Sequence, residues 1–238
     1  MKPSSESLQC ALDYRFVDER WLKRALTHRS AAHDNNERLE FLGDALLNLV
    51  VADLVFHEYS KLPEGDLSRL RAALVRESSL AAIARSLSIG EHLELGAGEL
   101  RSGGFRRDSI LADTLEALIG AVYLDGGFDA GRALCLRMMK APLAELPEPA
   151  KLKDAKTQLQ EFLQARSRPL PEYEVLTEEG PAHRRHFAVS CKLVDDVQTA
   201  VGEGSSRKLA EQRAAQQLLD LLERAPRPQP GPGSDEDA

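Results

Sequence analysis

The sequence predicts two domains in series: an all-helical domain to about residue 145, then a small α-β-β-β-α domain over 153–224. Three observations carry this. Apolar residues recur at spacings of three and four through 8–140, with no convincing alternating run. The segment APLAELPEPAK, 141–151, holds three prolines within eight residues and reads as a linker. Beyond it come a helical stretch, short alternating runs and a strong final helix. With 238 residues in all, each part is long enough to bury its own core.

In the first domain, 6–145, helical phase shows in Leu46, Leu49 and Val50, in Leu67, Leu70 and Leu74, and in Leu111, Leu115, Leu118, Ile119 and Val122. Gly and Pro punctuate it at Leu62-Pro63, from Gly96 to Gly104 and at Gly126-Gly127. LELGAGELRSGGFRRD, 93–108, reads as a mobile Gly-rich loop whose Arg101, Arg106 and Arg107 meet a phosphate backbone, or as a plain connector. The linker proper is placed at 146–152. In the second domain a helix is expected over 157–165, strands over 172–177, 185–193 and 198–202, and a helix over 206–222. The tail, 225–238, is Pro/Gly-rich and then acidic, a composition expected to stay disordered.

Composition narrows the classes of function. A hydrophobic fraction of 42% and a charged fraction of 29% fit a soluble globular protein. The N-terminus, MKPSSESLQC, has no apolar signal-peptide core. The longest apolar tract, 41–56, contains Asp44, Asn48 and Asp53, so no membrane span is expected. Cys10, Cys135 and Cys191 are odd in number and form no CxxC, which points to a reducing, cytoplasmic setting without disulfide or zinc. The net charge of −7 is unevenly spread: −5 over 1–150, zero over 151–225 and −2 over 226–238. Clustering rather than total charge decides phosphate binding.

The stretch ERLEFLGDALL, 37–47, concentrates the chemistry. On a helix Glu37, Glu40 and Asp44 fall within about 60° of one face. A second apolar helix, SILADTLEALIGAVYLDGG, carries Asp113 and Glu116 one turn apart. Buried carboxylates without partners cost several kcal/mol, and a divalent metal with all-oxygen ligands, Mg²⁺ or Mn²⁺, answers five of them. Gly120, one turn past Glu116, leaves room for close approach, and Gly43 in mid-helix costs roughly 1 kcal/mol against Ala unless packing demands it. Blander readings stand beside this. Asp34-x-x-Glu37 can be a capping box, Asp113 and Glu116 an exposed face, Asn48 a structural residue, and Glu64 a turn residue. No HExxH occurs among the six histidines.

With THRS at 27–30, PEGDLSRLRAALV at 63–75 and RRDSILADTLEALIGAVYLDGG at 106–127, the chain resembles the ribonuclease III family over nearly its whole length. The resemblance implies an all-α ribonuclease III nuclease domain followed by a double-stranded-RNA-binding domain. It places Glu40, Asp44, Asp113 and Glu116 on the metal-binding acids, with Asp44 and Glu116 catalytic, and Glu37 and Glu64 on accessory acids of the cleft. It implies Mg²⁺, with Mn²⁺ as a substitute, no small-molecule cofactor, and hydrolysis of double-stranded RNA by water to 5′ phosphate and 3′ hydroxyl ends with short 3′ overhangs. It also implies a homodimer into whose interface Phe41 packs, and processing of ribosomal and messenger RNA precursors. The alternative is a regulator that binds duplex RNA without cutting it.

Three features of the second domain fit duplex RNA. In EGSSRKLAEQRAA, 203–215, Arg207 and Lys208 begin a helix against its dipole, with Ser205 and Ser206 offering N–H groups; phosphate docking explains both. EGPAHRRHF, 179–187, presents His183 with Arg184 and Arg185 in a turn; in the family this loop enters a minor groove. Thr157, Gln160, Glu161 and Gln164 share one helical face and suit 2′-hydroxyls better than phosphates. GEG at 202–204 is too weak a pattern to mark a nucleotide loop.

Overall fold

Apolar spacing of three and four becomes helix wherever the resulting stripe can be buried, and the first unit is built that way. The computed structural model describes residues 4–147, 153–181 and 184–224. It forms two compact units that divide between Leu152 and Lys153. The first holds α1 (Ser5–Leu12), α2 (Glu19–Ala25), α3 (Glu37–Glu58), α4 (Glu64–Val75), α5 (Glu77–Ser86), α6 (Ala97–Arg101) and α7 (Asp108–Ala144). Helix α7 is the axis: Leu111, Leu115, Leu118, Ile119 and Val122 are sealed inside, against Leu39, Leu47, Val50 and Val51 of α3.

Two glycines set the spacing of that pair. A Cβ on Gly43 would overlap the Glu116 carbonyl of α7 and come within 2.9 Å of the Gly120 nitrogen. A Cβ on Gly120 would strike the Leu39 carbonyl and come within 3.1 Å of the Gly43 nitrogen. The helices therefore touch backbone to backbone. The break expected at Gly126-Gly127 is a kink: Gly127 has φ 80° and ψ −176°, a conformation that only glycine adopts readily, and helix resumes beyond it.

Two expectations need correction. Residues 141–144 are not linker, because α7 continues through Ala144 with Pro142 inside it. A proline so near the helix end forfeits few hydrogen bonds, and buried Met138 and Met139 with partly buried Leu143 hold the last turns against the core. Nor is 93–108 a plain loop. It contains α6 and a 3₁₀ turn, Gly104–Arg106, pinned where Arg107 Nη1 meets Glu99 Oε1 at 2.6 Å. Residues 148–152 and 225–238, which hold most of the expected linker and the expected disordered tail, lie outside the described residues.

The second unit runs α8 (Ala155–Gln164), β1 (Glu172–Glu179), β2 (His186–Lys192), β3 (Thr199–Gly204) and α9 (Arg207–Arg224). The strands form an antiparallel sheet in the order β1-β2-β3. Leu159 and Leu163 of α8 share a core with Cys191, Ala200, Ala214, Ala215 and Leu218. The glycines of GEG serve this packing: a Cβ on Gly202 would collide with the Ala210 and Ala214 backbone of α9. Each strand begins or ends a residue or two from its expected limit, the usual uncertainty at element ends. Among the described residues no helix is long and apolar enough to cross a membrane.

Gly43→Ala should therefore destabilise the first unit by roughly 3 kcal/mol in denaturant melts, since backbone must move to admit the methyl. Gly98→Ala, in exposed α6 with nothing within 4 Å of the new Cβ, should be neutral or up to about 1 kcal/mol stabilising. Equal effects would contradict the close α3–α7 contact.

Candidate active site

Helix α3 begins at Glu37, so Glu37 and Glu40 occupy its first turn, where the helix dipole favours negative charge. The capping-box reading fails. Asp34 pairs with Arg24 at 3.0 Å, and the Glu37 N–H donates to Asn35 Oδ1 at 3.0 Å. The Glu37 carboxylate instead meets Arg29 Nη1 at 3.3 Å. The backbone contact through Gly43 and Gly120 then carries Asp113 and Glu116 of α7 up to Glu40. Oxygens of Glu40, Asp113 and Glu116 lie within 4.8 Å of one another, and all three side chains are half-buried.

Like charges in a partly desolvated place resist ionisation. Burial, and then the charges of Asp44, Glu40 and Asp113, push the Glu116 carboxyl up to about 8. Burial, followed by Asp113 and Glu37, raises Glu40, with Arg29 acting the other way. Burial and then Glu77 raise Asp113, opposed by His28 and Arg29. The donor set is all oxygen, and the mutual repulsion marks a deficit of positive charge. Both properties fit a hard divalent cation.

The other expected residues fall differently. Asp44 is exposed and stands outside the triad; its Oδ1 accepts from Asn48 Nδ2 at 2.7 Å, which gives Asn48 a positioning part. Glu64 begins α4 and accepts from Ser68 Oγ at 2.7 Å. It does not line the cleft of about 470 Å³ that contains Glu37, Glu40 and Asp113. Phe41 is 79% exposed, and with Leu49 and Phe56 it makes an apolar stripe along α3.

In the second unit Arg184, Ser205, Arg207 and Lys208 are exposed, as is Gln164, while Thr157 and Gln160 are half-buried. Thr157 Oγ1 donates to Asp154 at 3.1 Å and Lys153 Nζ donates to Glu161 at 2.8 Å. Ser206, rather than offering only backbone, caps α9: its Oγ accepts from the Leu209 N–H at 3.2 Å. Arg207 Nε donates to Glu211 Oε1 at 2.8 Å, and the same carboxylate group receives Lys156 Nζ at 2.9 Å. His183 lies outside the described residues.

Sequence reasoning passed over His28, Arg29, Ser30 and Asn36, which line the same cleft as the acids. The only sequence signal was THRS, quoted without a role. Its placement depends on a parallel bridge from Thr27 to Glu94, with the His28 N–H donating to the Glu94 carbonyl at 3.0 Å.

Comparison with known proteins agrees with this geometry. Residues 18–143 match the family model described as ribonuclease-III-like, and 155–222 match the double-stranded RNA binding motif. The chain is 54% identical over 211 residues to ribonuclease 3 of Shewanella amazonensis, covering 89% of this chain and 93% of that protein. It is 54% identical over 223 residues to ribonuclease 3 of Alkalilimnicola ehrlichii, covering 94% and 98% respectively. A crystal structure of the nuclease domain of ribonuclease III from Campylobacter jejuni superposes with TM-score 0.58 at 47% identity, over 62% of this chain and all of that one. A second structure of that domain, concerned with flexibility in a region involved in dimer formation, gives TM-score 0.57 at 48% identity over 58% of this chain and 97% of that one. With a helical unit that gathers carboxylates on α3 and α7 and an α-β-β-β-α unit after it in the sequence, the chain belongs to the ribonuclease III family.

Proposed function

We propose that this chain is a metal-dependent endoribonuclease that cuts double-stranded RNA to products with 5′ phosphate and 3′ hydroxyl ends and short 3′ overhangs. The observation that carries it is the Glu40–Asp113–Glu116 cluster, whose oxygens lie within 4.8 Å of one another, in a chain that also bears a duplex-RNA-binding motif. A pure RNA-binding regulator would have no use for three half-buried carboxylates whose pKa values are all raised.

Glu40, Asp113 and Glu116 would hold the cation, Mg²⁺ or Mn²⁺, with Asp44 completing the set from the solvent side. Such an ion supplies Lewis acidity toward a phosphodiester and acidifies water. Asp44, anchored by Asn48, can accept a hydrogen bond from water at the open edge. Glu37 and Glu64 are assigned as accessory acids. The second unit would bring the duplex: Lys208 and Arg207 at the start of α9 would contact phosphates, backed by Ser205, with Arg184 and His183 from the sequence between β1 and β2. Thr157, Gln160, Glu161 and Gln164 of α8 would face 2′-hydroxyls.

The stripe of Phe41, Leu49 and Phe56 supports a homodimer closed through α3. Working boundaries are 6–145 for the nuclease domain, 146–152 for the linker and 153–224 for the RNA-binding domain, with 225–238 as a tail. The expected setting is the cytoplasm and the expected work is processing of ribosomal and messenger RNA precursors.

Glu116→Ala tests the reading. It should bind duplex RNA like the parent in gel-shift titrations, yet cleave it at least roughly 10³-fold more slowly. Cleavage near the parental rate would remove Glu116 from the site.

A second expectation concerns pH. Because the folded-state pKa of Glu116 (about 8) lies above the ordinary 4.5, protonation favours the fold. That stabilisation is complete below 4.5 and is lost as pH rises through about 8. In EDTA the melting temperature should therefore fall across this range, Mg²⁺ should restore it at the alkaline end, and Glu116→Gln should flatten the profile. Parallel EDTA profiles for parent and Glu116→Gln would contradict the assignment.

A further inference from the structure

Besides Glu37, Glu40 and Asp113, the cleft is lined by His28, Arg29, Ser30, Glu99 and Arg107, so cationic groups share it with the carboxylates. An RNA backbone laid across five carboxylates is repelled by them, and a cation on the triad offsets that only at the phosphate being cut. Phosphates on either side need a positive partner of their own.

The two arginines that line the cleft are not equivalent. Arg107 is committed to holding α6, with Nη1 on Glu99 at 2.6 Å and Nη2 donating to Ser102 Oγ at 3.3 Å. Arg29 is 70% exposed and touches Glu37 through one nitrogen at 3.3 Å. A single long contact between exposed groups contributes little, and it uses one of five guanidinium donors. The backbone beneath Arg29 is nevertheless fixed on both sides. The His28 N–H donates to the Glu94 carbonyl at 3.0 Å, and Ser30 Oγ accepts from the Gly96 N–H at 3.0 Å. An exposed side chain on a clamped backbone suits a group that waits for a ligand.

Its neighbours present donors too. The Ser30 N–H donates to His28 Nδ1 at 3.2 Å, and Ser30 Oγ lies 2.8 Å from the same nitrogen. With Ser30 Oγ already accepting from Gly96, its proton points at Nδ1, so the ring offers Nε2–H. Asn36, 2% exposed in the same cleft, has an Nδ2 without an acceptor among the described residues.

We propose that Arg29 binds a backbone phosphate next to the one that is cut, with the His28 Nε2–H as a second donor. Together they form an anion subsite beside the carboxylates. The inference rests on the endoribonuclease reading above. A charge-assisted, forked contact of this kind is specific to arginine, so lysine should replace it only in part.

The test uses the full chain in Mg²⁺ and RNA duplexes carrying one methylphosphonate, which removes a single phosphate charge, moved along the strand near the cut. The expected result is that Arg29→Gln lowers kcat/KM about 10-fold to 100-fold on unmodified duplex, with an unchanged thermal melt and partial recovery in Arg29→Lys. At one position beside the cut the methylphosphonate should slow the parent by a similar factor and slow Arg29→Gln no further. Additive losses at every position would overturn the proposal and leave Arg29 acting through Glu37. Parental rates in Arg29→Gln would overturn it outright. If the parent does not cut unmodified duplex at all, the endoribonuclease reading itself falls, and the two failures are told apart.

Discussion

The backbone contact between α3 and α7 is the constraint on which the rest depends. Gly43 and Gly120 let two buried helices approach until a single methyl group on either would strike carbonyl oxygen. That approach brings Glu40 from one helix and Asp113 and Glu116 from the other within a few ångströms of one another. Two glycines in helix interiors each forgo about 1 kcal/mol of helical preference. The buried Leu, Ile and Val residues on both sides of the contact offset it. Helix packing thus holds the site's geometry, so the carboxylates need no mutual attraction to stay together.

The electrostatics follow from that placement. Carboxylates fixed by helix backbone cannot move apart to relieve repulsion, so protonation or a cation must do so. Burial and neighbouring charge leave Glu116 near 8, the most perturbed carboxyl of the cluster. Arg29 and His28 partly offset the raised pKa of Asp113, and Arg29 that of Glu40, without closing the cluster off. The result is a rigid, electron-rich, half-buried set of oxygens beside a cleft that Arg29 and Arg107 also line. Such a site is suited to a divalent ion and a phosphodiester together.

Much of this was legible because it is local. Helical spacing alone puts Glu37, Glu40 and Asp44 on one face, and glycines in two long apolar helices announce close packing. The α-β-β-β-α order was readable for the same reason, since alternation in β2 and the helical spacing of α9 are short-range patterns. What escaped was set by contacts distant in sequence. Arg29 reaches the cleft only because Thr27 bridges to Glu94, and Lys156 reaches Glu211 only because α8 packs on α9. Pro142 was read as linker, yet packing of Met138, Met139 and Leu143 carries α7 past it.

The most direct test of the account is cleavage of an end-labelled, perfectly paired RNA of about 30 base pairs, longer than the ~16 that one RNA-binding domain spans. Both strands would be mapped in Mg²⁺ and in EDTA. The account predicts metal-dependent cuts on both strands, with 5′ phosphates and short staggered 3′ ends. A duplex that is bound and retarded on a gel but stays intact in Mg²⁺ would contradict it, and the close approach of α3 and α7 would then need another explanation.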